Sequence, residues 1–136
     1  MREKAMEYYR QGYGCSRSVL MAFEQAYPRA VAQQVYRACA GLDTGLGVGC
    51  LCGALIAGVM IFGILFDTGA AKRLRMSLFD QMAERGLGLY CARLREKAGE
   101  AGCAELVGEI ASVIDKIIRE ELSSFNQSLQ SAPSGL

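Results

Sequence analysis

From Thr44 to Phe66 the chain carries no charged side chain, and that stretch limits its fold more than any other. It opens in a glycine-rich loop, Gly41 to Gly49, and its dense apolar part runs from Ala54 to Phe66. A helix of that length reaches about 20 Å, short of the roughly 30 Å hydrocarbon core of a bilayer. The run therefore reads as a buried central helix, with membrane insertion disfavoured. The rest of the chain can build a core around it: 136 residues, 51% hydrophobic and 21% charged, suit one globular domain.

Runs of alternating β-branched residues closed by hairpin turns are nearly lacking, and helical periodicity dominates. The expected fold is all-α, a compact single-domain bundle of about six helices. Helical segments are expected over Arg2 to Gln11, Cys15 to Tyr27, Arg29 to Ala40 (opened by Pro28), and Cys52 to Phe66. Asp67-Thr68-Gly69 is read as ending the last of these. Further segments follow over Ala70 to Glu84, Cys91 to Lys97 and Cys103 to Phe125, separated by glycine breaks. Leu106, Ile110, Val113, Ile114, Ile117, Ile118 and Leu122 form an apolar stripe along the last one. Residues 1–125 form the expected domain; 126–136 are polar and expected to be a disordered, removable tail.

Composition excludes several functions. A net charge of +1 gives no footprint for nucleic acid. With no histidine, the chain supplies no Ser-His triad, no His–metal site and no histidine ligand for haem. Six cysteines in 136 residues stay well below the roughly 8–10% of a disulfide scaffold. The charged N-terminal segment does not read as a signal peptide. A cytoplasmic, reducing compartment is expected, where cysteines are reactive or metal-bound more often than crosslinked.

Four cysteines, Cys15, Cys52, Cys91 and Cys103, each follow a glycine-containing break and open an expected helix. Unpaired N–H groups and the positive end of the helix dipole favour thiolate there, so lowered thiol pKa values are expected. Thiolate is both nucleophile and metal ligand. Cys39, between two alanines, reads as core packing. Cys50 and Cys52 form a C-x-C pair, able to chelate a metal or to close a strained disulfide. The loop Gly41–Gly49 lacks a P-loop's Lys-Ser/Thr ending and a preceding strand, so it reads as letting backbone pass close to the site. Glu105 and Glu109 read as surface charges, and Arg93, Arg95 and Lys97 as a solvated face.

Gly12-Tyr13-Gly14-Cys15 with Val19 to Phe23, Cys52-Gly53-Ala54 after a glycine-rich loop, then Cys91 and Cys103, resemble the C_GCAxxG_C_C family of redox-active proteins. The resemblance spans nearly the whole chain. It implies that Cys15, Cys52, Cys91 and Cys103 are the family's four cysteines, and it implies a helical redox protein. Where the family has Cys-Gly-Ala-x-x-Gly, Ala57 replaces the glycine and Gly58 follows one place later; Cys50 is an addition.

Two classes of function follow. One is a redox protein acting through its cysteines, which bind an iron–sulfur cluster or another metal, or cycle between dithiol and disulfide. It would serve an unidentified redox partner in electron transfer or sensing. Zinc is a lesser option, since tight C-x₂₋₄-C pairs are missing. The other class is a non-catalytic interaction module that forms a homodimer through its last helix, its cysteines merely buried. The first class expects the four cysteines to meet at one pocket.

Overall fold

The computed structural model describes residues 1–99 and 102–131, and among these there are seven α-helices and no strand. They are α1 (Arg2–Arg10), α2 (Cys15–Ala26), α3 (Gln33–Ala38), α4 (Gly53–Leu65), α5 (Thr68–Glu84), α6 (Cys91–Ala98) and α7 (Cys103–Gln130). A 3₁₀ turn over Cys39–Gly41 and a wide irregular turn over Gly45–Gly49 join α3 to α4.

The apolar run of the sequence is the centre of the bundle. α4 packs against α2, α5 and α7, and Ala54, Leu55, Ala57, Ile61 and Phe62 are almost wholly buried. Gly58 is the point of closest approach: a Cβ there would lie 2.8 Å from the Ile114 side chain and 2.9 Å from that of Leu78. So the shifted glycine, rather than Ala57, lets α4 close on α5 and α7. Burial is not complete on every side, because Gly63 and Ile64 reach the surface in the last turn. Among the described residues no helix is long and apolar enough to cross a membrane.

The stripe of α7 is consumed inside the chain. Ile110, Val113, Ile114, Ile117 and Ile118 are buried against neighbouring helices.

Three boundaries differ from expectation. Pro28 does not open a helix: Ala30 N–H donates to Tyr27 O at 3.1 Å and Arg29 takes φ +64°, so Pro28 sits in a tight turn. Pro is favoured at the second place of such turns, with a positive φ next. α3 therefore starts only at Gln33. Asp67, expected among the residues that stop α4, instead opens α5 by accepting a hydrogen bond from Ala70 N–H at 2.9 Å. The last helix continues past Phe125 to Gln130 in exposed residues, with the Ser131 hydroxyl donating to Ser128 O at 3.2 Å at its end; 132–136 lie outside the described residues.

Because 126–131 are all exposed, deleting 126–136 is expected to change unfolding free energy by less than about 1 kcal/mol, as for surface positions generally. Urea denaturation checks this; a much larger loss would mean that the segment docks on the body.

Candidate functional site

The helix starts bring the thiols together. Cys15 opens α2, Cys91 opens α6, Cys103 opens α7, and Cys52 is the residue immediately before α4. All four line one half-open cavity of about 350 Å³, shared with Tyr9, Tyr13, Asp43, Thr44 and Arg95. Cys52 and Cys91 are buried, while Cys15 and Cys103 are half-buried; every cysteine is a free thiol.

Backbone proximity makes this convergence possible. A Cβ on Gly53 would stand 2.6 Å from Cys15 Sγ, so the Cys15 sulfur rests on the backbone next to Cys52. A Cβ on Gly14 would fall 1.7 Å from Asp43 Oδ2. Asp43 fills that space with its carboxylate, which accepts from Ser16 N–H at 3.4 Å, Ser16 Oγ–H at 3.0 Å and the Cys15 thiol at 3.5 Å. Gly14 has no side chain to cap α2, and Asp43 supplies the cap from a distant loop.

A second device aligns Cys52 with Cys91. Leu51 and Tyr90 form an isolated antiparallel pair, flanked by Cys52 N–H to Leu89 O at 2.9 Å and Cys91 N–H to Cys50 O at 2.6 Å. This short pairing holds the starts of α4 and α6 side by side. Gly45 makes room for it: a Cβ there would lie 2.4 Å from Cys50 N and 2.6 Å from Cys91 Cβ. The turn around it is left-handed, with positive φ at Thr44, Gly45, Leu46, Gly47 and Gly49.

The expected lowering of thiol pKa does not hold at Cys15 and Cys52, the two of the four where a shift is resolved. Burial, then the neighbouring Cys52 thiol and the Asp43 carboxylate, push Cys15 up to about 12. Burial also raises Cys52, although the Leu55 and Ala54 N–H groups at the start of α4 pull the other way. The helix start acts in the expected direction but is outweighed by desolvation. At neutral pH both are thiols. Tyr9 is pushed up to about 12 by burial and by the Cys103 and Cys15 thiols beside it, with Arg95 opposing.

Asn in place of Asp43 can still accept the Ser16 bonds but removes the negative charge beside Cys15. The Cys15 pKa should then fall by about one unit, raising its alkylation rate about tenfold near pH 9. Iodoacetamide labelling followed by peptide mapping measures this; an unchanged rate would mean that burial alone holds the proton.

Cys39 is not part of the cavity: it is buried in the core, and its thiol donates to Val35 O at 3.2 Å. Cys50 is half-buried and does not line the cavity. Glu105 pairs with Arg2 at 3.0 Å and Glu109 with Arg85 at 3.6 Å, both on the surface. Arg93, Arg95 and Lys97 are exposed, as a solvated face requires; Arg95 also borders the cavity, and Lys97 donates to Gly86 O. Tyr9, Asp43 and Arg95 carry no spacing that marks them in the sequence.

As a donor set, four thiols without a competing imidazole suit iron–sulfur ligation. Among the described residues, however, no three cysteine or carboxylate side chains are grouped as they would be around a single metal ion.

Fold and site together define a class: an all-helical protein with four free thiols facing one cavity. The profile of a family described as "Putative redox-active protein (C_GCAxxG_C_C)" matches residues 13–117, and the chain belongs to that family. No curated protein and no solved structure matches the chain.

Proposed function

We propose that Cys15, Cys52, Cys91 and Cys103 work as one redox centre, holding a thiolate-bound iron–sulfur cluster that exchanges electrons with a partner. The observation that carries this reading is the opening of all four thiols onto one cavity of about 350 Å³. Cysteine thiolates alone hold such clusters, four in the usual case. A single tetrahedral zinc ion would draw its sulfurs to within about 3.8 Å of one another, given Zn–S bonds of about 2.3 Å. Among the described residues no three ligands are grouped so. When bound, the cluster would supply reversible one-electron chemistry. The chain's part would be to hold the four thiols, to direct the Ala54 and Leu55 N–H groups at the Cys52 sulfur, and to exclude water by burial.

Dithiol–disulfide cycling is the second reading. It is favoured by the seat of the Cys15 sulfur on Gly53, beside Cys52.

Iron and acid-labile sulfide analysis of anaerobically purified protein tests the proposal, with visible absorption before and after dithionite. Stoichiometric iron and sulfide with a reducible chromophore support the cluster. Protein that takes up neither on reconstitution, yet loses thiols pairwise on mild oxidation, supports cycling. A chain that does neither is an interaction module with buried cysteines.

A further inference from the structure

We infer that Cys50, one of the two cysteines outside the family's four, is a fifth redox thiol that forms a disulfide with Cys91 by exchange with an external disulfide. This deepens the redox reading above and rests on it, because Cys91 would belong to both sets.

The register of the short pairing carries the inference. With Leu51 opposite Tyr90, and Cys91 N–H bonded to Cys50 O at 2.6 Å, Cys50 stands directly opposite Cys91. Residues opposed across an antiparallel pair share a face. Only one of the two bonds such a pair can exchange is made, because Cys50 N–H donates to Gly45 O at 2.9 Å; opposed residues of an antiparallel pair nonetheless have Cα atoms about 4.5–5.5 Å apart, inside the roughly 4.4–6.8 Å window of a disulfide. The competing Cys50–Cys52 link spans two residues of extended chain, about 6.7 Å, at the edge of that window. Gly45 keeps the opposed pair close, since a Cβ there would lie 2.6 Å from both Cys50 O and Cys91 Cβ. Cys50 is also the more accessible partner, half-buried where Cys91 is buried.

The exchange balances without any further reagent. The Cys50 thiol gives its proton to water and attacks one sulfur of an external disulfide, RSSR. That S–S bond breaks, a Cys50–SR mixed disulfide forms, and RS⁻ leaves to take up a proton. The Cys91 thiol, likewise deprotonated, attacks Cys50 Sγ and expels the second RS⁻, which is protonated in turn. The two protein thiols lose two electrons, and RSSR becomes two RSH. While the link stands, Cys91 is withdrawn from the cavity's four thiols.

The full chain, purified anaerobically, would be treated with oxidised glutathione, quenched with iodoacetamide and mapped by tandem mass spectrometry. The expected main product links Cys50 to Cys91. In Cys91→Ser, glutathione should remain trapped on Cys50, and in Cys50→Ser release of reduced glutathione should fall at least tenfold. Cys39→Ala, outside both sets, should behave as wild type. The inference is overturned if Cys50 is alkylated while another pair links, or if no glutathione is reduced. The four-thiol reading is judged separately, by iron, sulfide and reductive titration of the wild type, so either can fail alone.

Discussion

Replacing Gly45 by alanine is expected to destabilise the protein by about 2–5 kcal/mol. Two costs combine. Gly45 sits at φ +59°, a left-handed conformation that costs a side-chain-bearing residue about 1–2 kcal/mol. Its new Cβ would also meet Cys50 N at 2.4 Å and Cys50 O at 2.6 Å. Those are backbone atoms, so the strain must be relieved by moving the chain, at about 1–3 kcal/mol for an overpacked site. The movement would pull Cys50–Cys52 away from Leu89–Cys91 and spoil the alignment of Cys52 with Cys91. Gly47→Ala is the control: φ is +77° but nothing lies within 4 Å, so only the conformational cost of about 1–2 kcal/mol applies. Urea denaturation of both variants measures the difference. Equal losses would show that the close approach at Gly45 is not a constraint.

Replacing Cys52 by serine is expected to abolish redox activity, by at least about 100-fold in electron uptake, as expected when one member of a unit is removed. Cys52 is the hub of the cavity. Cys15, Cys91 and Cys103 all lie near enough to it that a thiolate on one disfavours ionisation of its neighbour. The fold should survive. Cys52 occupies the N-cap position of α4 without a side-chain cap bond, and serine is among the preferred residues there, worth about 1 kcal/mol. Cys52→Ser should thus unfold at the same or a higher temperature while losing activity. Cys39→Ala should do the reverse, losing stability from the core and keeping activity. Thermal unfolding and reductive titration of the two variants check the contrast; loss of both properties together in Cys52→Ser would mean a structural role.

The features legible in the sequence were the ones that depend on near neighbours. The stripe of α7, the uncharged run of α4 and the glycine breaks before Cys15, Cys52, Cys91 and Cys103 are local patterns, and each maps onto an observed element. Pro28 was ambiguous because the same fixed φ suits both a first helical position and the second place of a turn. Only tertiary packing decided between them. Asp43 was illegible as a cap because it serves a helix 27 positions away, where Gly14 leaves the space for its carboxylate. The sign of the thiol shifts was misjudged for a related reason. A helix start can be read from spacing, but the depth at which Cys15 and Cys52 are buried cannot, and burial is the larger effect here. The pairing of Leu51 with Tyr90 is a single non-local contact, too short to leave an alternating pattern.

The central claim is that the four thiols act as a unit, and anaerobic reductive titration of five variants tests it most directly. These are the single serine substitutions of Cys15, Cys52, Cys91 and Cys103, and the quadruple substitution. A unit is grossly non-additive under mutation, so each single variant should lose about as much electron uptake as the quadruple one. If any single variant, other than through loss of folding, keeps wild-type uptake, the four cysteines do not form one centre and the account is contradicted.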